Sequence, residues 1–178
     1  ALAAHPLPAA APAPITATRS RGLVAADHVD ASRAGAEVLR RGGNAMDAAA
    51  ATALALGVVA PAGSGLGGGG FLVYWDQKTE RAYVLDFRET APAAASRDMF
   101  VEGGKVVPGR SRVGGLAVAV PAEPRGLQLA EQRFGKAGLA LAVQAAERLA
   151  RSGFAASRHL GIYATFMQGR LGTGLITQ

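Results

Sequence analysis

The segment from Ala45 to Val59 constrains this chain more than any other, because it is apolar nearly all round and Asp47 is its single charge. A helix of that pattern has no face to offer water, so other elements must bury it. Asn44 stands where an N-cap belongs, and Asp47, at the third helical position, suits the positive end of the helix dipole. Pro61 stops the run, and the phrase GSGLGGGG, Gly63 to Gly70, follows at once. The longest apolar stretch, Ala48 to Ala62, is broken by Gly57 and Pro61 and is too short to span a bilayer, so no membrane span is expected. A chain of 178 residues with 49% hydrophobic and 18% charged residues fits one globular domain. Its 24 glycines and 6% aromatics mean that the core is built from small side chains with backbones packed closely.

Order is expected from about Gly22. Residues 1–21 are Ala- and Pro-rich and read either as the remnant of a secretory leader with its linker or as a Pro-rich extension. Asp30 to Arg41 reads as a helix with Asp30 or Ser32 as its cap, Val38 and Leu39 inward, and Gly42 and Gly43 at its end. Phe71 to Trp75 and Arg81 to Phe87 read as the strands of a β-hairpin whose turn is Asp76 to Glu80. Ser96 to Phe100 suggests a short capped helical turn, Gly103 and Gly104 a further turn, and Gly114 to Val120 a strand ended by Pro121. Helices are expected from Pro124 to Phe134 and from Leu139 to Arg151. A short segment, Ile162 to Gln168, precedes the Gly-rich end.

Several chemistries find no support. The absence of cysteine removes disulfides, thiolate nucleophiles and cysteine-based zinc sites. His5, His28 and His159 lie far apart with no metal-ligand spacing, so neither metal nor cofactor is expected. The formal net charge of +6 comes from scattered basic residues without aromatic stacking motifs, which argues against nucleic acid. Gly63, Gly65 and Gly68 match G-x-G-x-x-G, but a dinucleotide fingerprint needs a strand before it and a helix after it, and here the order is reversed. The glycines read instead as a loop that lets another backbone approach. Ser64 lacks the setting of a nucleophile elbow, and nothing singles out a catalytic carboxylate pair. Arg88 leaves the second strand between Asp86 and Glu89. Its guanidinium is either a fork for a substrate carboxylate or a structural ion-pair partner of those two acids.

Together the phrases GLVAADHVDASRAGAEVLRRGGNAMDAAAATALALGVVAPAGSGLGGGGFLVYWD and VLDFRETAPAAASRDMF, with a helix pair ending in RLARSGF, resemble the N-terminal part of a γ-glutamyltransferase, or glutathione hydrolase, across residues 22–160. β-Lactam side-chain acylases share much of this half. The resemblance implies an α+β fold, part of the αββα sandwich of N-terminal nucleophile hydrolases, with helices, a β-hairpin and further strands. It also implies a precursor that cleaves itself into two subunits. The Thr that opens the small subunit would form an acyl-enzyme with γ-glutamyl groups of glutathione and related amides. Arg88, in the D-F-R-E phrase, would pair with the glutamyl α-carboxylate, and the location would be periplasmic or secreted.

The departures bear on activity. No Thr-Thr-His cleavage phrase occurs, so this chain supplies no catalytic residue of its own and is expected to be inactive without the small subunit. Val120, Pro121, Ala122 and Glu123 stand where the family typically has V-P-G-T. Residues 161–178 read as a short tail after an internal deletion near Gly161, because MQGRLGTGLIT follows sooner than in the family. Two rivals remain: an acylase of the same superfamily, and a non-catalytic remnant serving as an interaction module.

Overall fold

The computed structural model describes residues 22–171; the N-terminal segment 1–21 and residues 172–178 of the tail lie outside the described residues. Among the described residues five α-helices, α1 Val29–Arg40, α2 Ala45–Val59, α3 Glu123–Phe134, α4 Leu139–Ser152 and α5 Arg158–Leu171, accompany two small antiparallel sheets. Strands β1 Phe71–Asp76 and β2 Arg81–Asp86 form one sheet, and the two-residue strands β3 Val101–Glu102 and β4 Lys105–Val106 form the other.

Helix α2 is the buried element that its composition demands, and it packs chiefly between α1 and α4. Its start is a capping box: the Asn44 side chain accepts from the N–H groups of Met46 and Asp47, and Asp47 accepts from the Asn44 N–H. Mostly alanine fills the core, with Val38, Met46, Val59 and Leu127 as the larger buried side chains. Such a core works because backbones lie close. A Cβ added at Gly35 of α1 would overlap Thr52 Oγ1 and come within 2.8 Å of the Ala48 carbonyl of α2.

The β1–β2 register pairs Leu72 with Leu85 and Tyr74 with Tyr83. These four residues face the helices, where Tyr74 stacks on Phe134 at 4.5 Å between ring centroids and Tyr83 lies tilted at 5.1 Å. Phe71, Val73, Trp75 and Val84, on the opposite face, are 55% to 73% exposed. The hairpin is therefore covered on one side only.

Four local expectations need correction. The cap of α1 is His28, whose Nδ1 accepts from the Asp30 N–H at 3.2 Å, rather than Asp30 or Ser32. Ser96 to Phe100 forms overlapping turns, with bonds from Met99 N–H to Ser96 O and from Val101 N–H to Asp98 O, but no helix. Gly114 to Val120 is not a strand: Gly115–Ala117 is a 3₁₀ turn, and only Val120 pairs, with Thr90. Without a continuous neighbouring strand, an apolar run has no ladder to join. Finally, Ile162 to Gln168 lies inside a longer helix, α5, whose start is fixed by Ser157 Oγ accepting from the Leu160 N–H at 3.1 Å.

Candidate functional site

Strand β2 ends at Asp86, whose Oδ1 accepts the Arg88 N–H at 2.9 Å. That bond turns the chain outward, and the Arg88 side chain emerges exposed. Among the described residues its guanidinium has neither an ion-pair nor a hydrogen-bond partner, so the pairing with Asp86 or Glu89 considered from sequence is not made. Five donors on a planar fork are thus free at one end of the hairpin.

The glycine phrase lies behind this arginine. Because the hairpin is antiparallel, the residues before β1 meet those after β2, and Gly70 and Phe87 exchange backbone hydrogen bonds. Gly69 rests on the Phe87–Glu89 backbone so closely that a Cβ would overlap the Phe87 carbonyl and lie 2.9 Å from the Glu89 nitrogen. The Gly68 carbonyl accepts from the N–H groups of both Ala122 and Glu123, each at 2.9 Å, which latches the loop to the start of α3. On the next turn of α3, a Cβ at Gly126 would overlap the Phe87 ring. The glycines therefore seat the Arg88 segment between a loop and a helix, and this is the close backbone approach read from their spacing. The loop runs from α2 into β1, so no helix N-terminus follows it to receive a phosphate.

A cleft of about 490 Å³ opens along this loop, lined by Gly57, Pro61, the glycine phrase, Glu89 and Glu123. Glu123 is 6% exposed, and its Oε1 has no hydrogen-bond partner among the described residues. Burial pushes its carboxyl above the ordinary range, a Gly65 N–H opposes that, and the charge of Glu89 adds to the rise. The sequence marked Glu123 only as a departure from a family phrase. Its burial depends on contact with a loop more than fifty positions earlier, which no local pattern reveals.

A second carboxyl pair lies at the other end of α3. Burial would raise the Asp47 carboxyl, but N–H donors from Asn44, Ala137 and Lys136 outweigh it and hold the group below its ordinary value. The shortest of these bonds are 2.6 Å from Asn44 and 2.7 Å from Ala137. Glu131, 5% exposed, is pushed up to about 7 by burial and then by the neighbouring Asp47 charge. With that proton it can donate toward Asp47. This pair ties the α3–α4 connection to the cap of α2.

The remaining candidates stay outside the site or beside it. His28 caps α1 and meets the Phe154 ring edge-on. His28 and His159 share the lining of one cavity, yet no group of three or more potential metal ligands occurs among the described residues. His5 lies outside the described residues. Ser64 lines the glycine cleft, where its backbone N–H donates to the Ala60 carbonyl at 3.2 Å. No helix among the described residues is long and apolar enough to cross a membrane.

Comparison with known proteins bears on the same region. Residues 31–171 match the family model described as gamma-glutamyltranspeptidase. A glutathione hydrolase proenzyme of Bacillus subtilis subsp. natto is 46% identical over 135 residues, covering 75% of this chain and 23% of that protein. The gamma-glutamyltranspeptidase of Helicobacter pylori superposes with a TM-score of 0.86 at 37% identity, over 91% of this chain and 46% of the solved one. A cephalosporin acylase of Bacillus halodurans superposes with a TM-score of 0.71 at 29% identity, over 80% and 26% of the two chains. The chain spans about a quarter of the length of the curated relatives it matches.

Proposed function

The chain belongs to the gamma-glutamyltranspeptidase family, with the α+β fold of the N-terminal nucleophile hydrolases, and from that premise we propose that it serves γ-glutamyl transfer and hydrolysis. In this reading it is the large-subunit portion, and Arg88 holds the substrate α-carboxylate. The nucleophile is a Thr on a small subunit outside this chain. Its hydroxyl oxygen bonds to the γ-carbonyl carbon, the amide C–N bond breaks, and the leaving amine takes a proton. Water or an amine then receives the γ-glutamyl group. Glutathione and related amides are the substrates, and the complete protein works in the periplasm or outside the cell, which cell fractionation checks.

The observation that carries this reading is the unpaired Arg88 fork, displayed at the hairpin end on a backbone seated by glycines. A guanidinium held in that way offers two parallel donors to a carboxylate, a geometry a lysine cannot reproduce. The likeness to a cephalosporin acylase favours one alternative, cleavage of glutaryl-type amides by the same machinery. Chromogenic γ-glutamyl and glutaryl anilides, offered to the complete protein carrying this segment, separate the two. Faster turnover of the γ-glutamyl compound is expected, and preference for the glutaryl compound would establish the acylase. The chain by itself should turn over neither, and activity that co-purifies with it would contradict a nucleophile located elsewhere. Activity of the complete protein that depends on the partner subunit also separates the enzyme from a non-catalytic module.

A further inference from the structure

The chain is pinned on both sides of Arg88. Phe87 exchanges backbone hydrogen bonds with Gly70 at 3.0 and 3.3 Å, and the Thr90 carbonyl accepts the Val120 N–H at 2.9 Å. Between these points, the one hydrogen bond made by the Arg88 backbone among the described residues runs from its N–H to Asp86 Oδ1, at 2.9 Å. Gly69 rests against the same stretch. Such contact limits how near two backbones come, whereas a hydrogen bond also fixes the direction in which a peptide faces.

We propose that Asp86 is a positioning residue for Arg88, and that it acts as a hydrogen-bond acceptor rather than as a charge. An Asp side chain that accepts from the N–H two residues on closes an Asx turn, a bend that needs no other element. Asp86 is the last residue of β2, so the bend falls where the strand ends and sets the direction from which the arginine side chain departs. The same bond leaves the guanidinium open. Among the described residues Asp86 forms no ion pair, with Arg88 or with any other cation. A carboxylate placed on the guanidinium would instead occupy the donors that a substrate carboxylate needs. Asp86 is exposed, so removing its side chain strands no buried group and the fold should tolerate the loss.

The proposal rests on the reading of Arg88 as the carboxylate fork and goes beyond it by naming what aims the fork. A planar guanidinium meets a carboxylate at two points only when plane and direction match. A misplacement of about 1 Å is enough to cost roughly a hundredfold in rate. A single tether at the strand exit is therefore a place where recognition is lost while the fold survives.

Kinetics of the complete, processed protein on a γ-glutamyl anilide test it. Asp86→Ala, which removes the acceptor, should lower kcat/KM about five- to twentyfold, within the reach of such a misplacement. Asp86→Asn keeps an oxygen acceptor and loses the charge, and it should recover most of that loss. In an Arg88→Lys background the two-point contact is already gone, so Asp86→Ala should cost little more there, because residues acting through one contact are not additive. Subunit cleavage and circular dichroism report whether each variant is processed and folded. A neutral Asp86→Ala, equal losses in Asp86→Ala and Asp86→Asn, or losses that add in the double variant would each overturn the role of Asp86 and leave Arg88 in place. Failed cleavage or a lost native spectrum in Asp86→Ala would make Asp86 a structural residue and overturn the proposal as well. An Arg88→Lys protein as active as the parent would refute the fork itself, and the proposal with it.

Discussion

Helix α3 carries a buried glutamate near each end, and the two sit in opposite surroundings. Glu131 closes against Asp47, whose carboxylate is already engaged by backbone N–H groups of Asn44, Lys136, Ala137 and Gly138. Glu123 lines an open cleft next to the segment that displays Arg88, and both glutamates keep buried oxygens without a hydrogen-bond partner among the described residues, one on Glu123 and two on Glu131. Both carboxyls are raised by burial and by a neighbouring acid, so titration behaviour alone does not distinguish them. What differs is what completes them. Glu131 stands against a carboxylate that backbone N–H groups already hold, whereas Glu123 stands beside Glu89 on the wall of a cleft. Substitutions at the Asp47 end should therefore alter stability, with a pH dependence set by the two carboxyls.

The largest stability loss is expected from Asp47→Ala. It removes one half of a capping box, worth about 1 kcal/mol, and strands buried N–H groups at about 1–3 kcal/mol for each that water cannot reach. Chemical denaturation should show a loss of roughly 2–4 kcal/mol, and a change below 0.5 kcal/mol would mean that the 136–138 segment does not depend on Asp47.

A smaller effect, and one with a definite pH dependence, is expected from Glu131→Gln. The folded Glu131 carboxyl is raised from 4.5 to about 7, so between those values the native state binds more protons than the unfolded state. Stability from this group is therefore present in acid and is lost as pH rises through that window. Asp47 acts oppositely: its folded value is lowered, so its contribution is present above the unfolded value and lost as pH falls below 3.8. Glu131→Gln should thus be nearly neutral at pH 4.5 and stabilising by about 1–3 kcal/mol at pH 8. A benefit independent of pH would contradict the protonated pair.

The two faces of the hairpin extend the same contrast to packing. Leu85, packed against the helical core, should cost about 1–3 kcal/mol when changed to Ala. Its neighbour Val84, 69% exposed, should change stability by less than about 0.5 kcal/mol on substitution by Thr. The combined Val73→Thr and Val84→Thr change should instead reduce self-association of the chain in sedimentation, because the bare face is the apolar surface. A monodisperse parent chain would remove the reason for that prediction.

Much of this arrangement could be read along the chain. The Asn44 cap, the limits of α2, the hairpin and helices α3 and α4 all follow from apolar periodicity and turn residues, which act over a few positions. His28 escaped notice as a cap because its acceptor is a ring nitrogen rather than a short side-chain oxygen. Gly114 to Val120 misled because strand composition was present and a neighbouring strand was not. At the site, the exit of Arg88 from β2 and the spacing role of the glycines were legible, whereas the convergence of Glu123 on Gly65 and Gly68 was not. Asp47 was recognised as a helix-end charge, but its donors at 136–138 come from a distant turn. Local rules reveal which residues can cap or bend, and only the tertiary fold reveals which carboxyls are brought together.

The central claim is that Arg88 recognises a substrate carboxylate rather than holding the fold. Arg88→Lys in the complete, processed protein tests it, because the change keeps the charge and loses the planar two-point contact. Loss of one charge-assisted bond amounts to roughly 1.5–3 kcal/mol, so kcat/KM for a γ-glutamyl anilide should fall about ten- to a hundredfold, while subunit cleavage proceeds and a substrate lacking the α-carboxylate loses little further activity. Abolished cleavage, or an equal penalty on both substrates, would contradict the account and return Arg88 to a structural role.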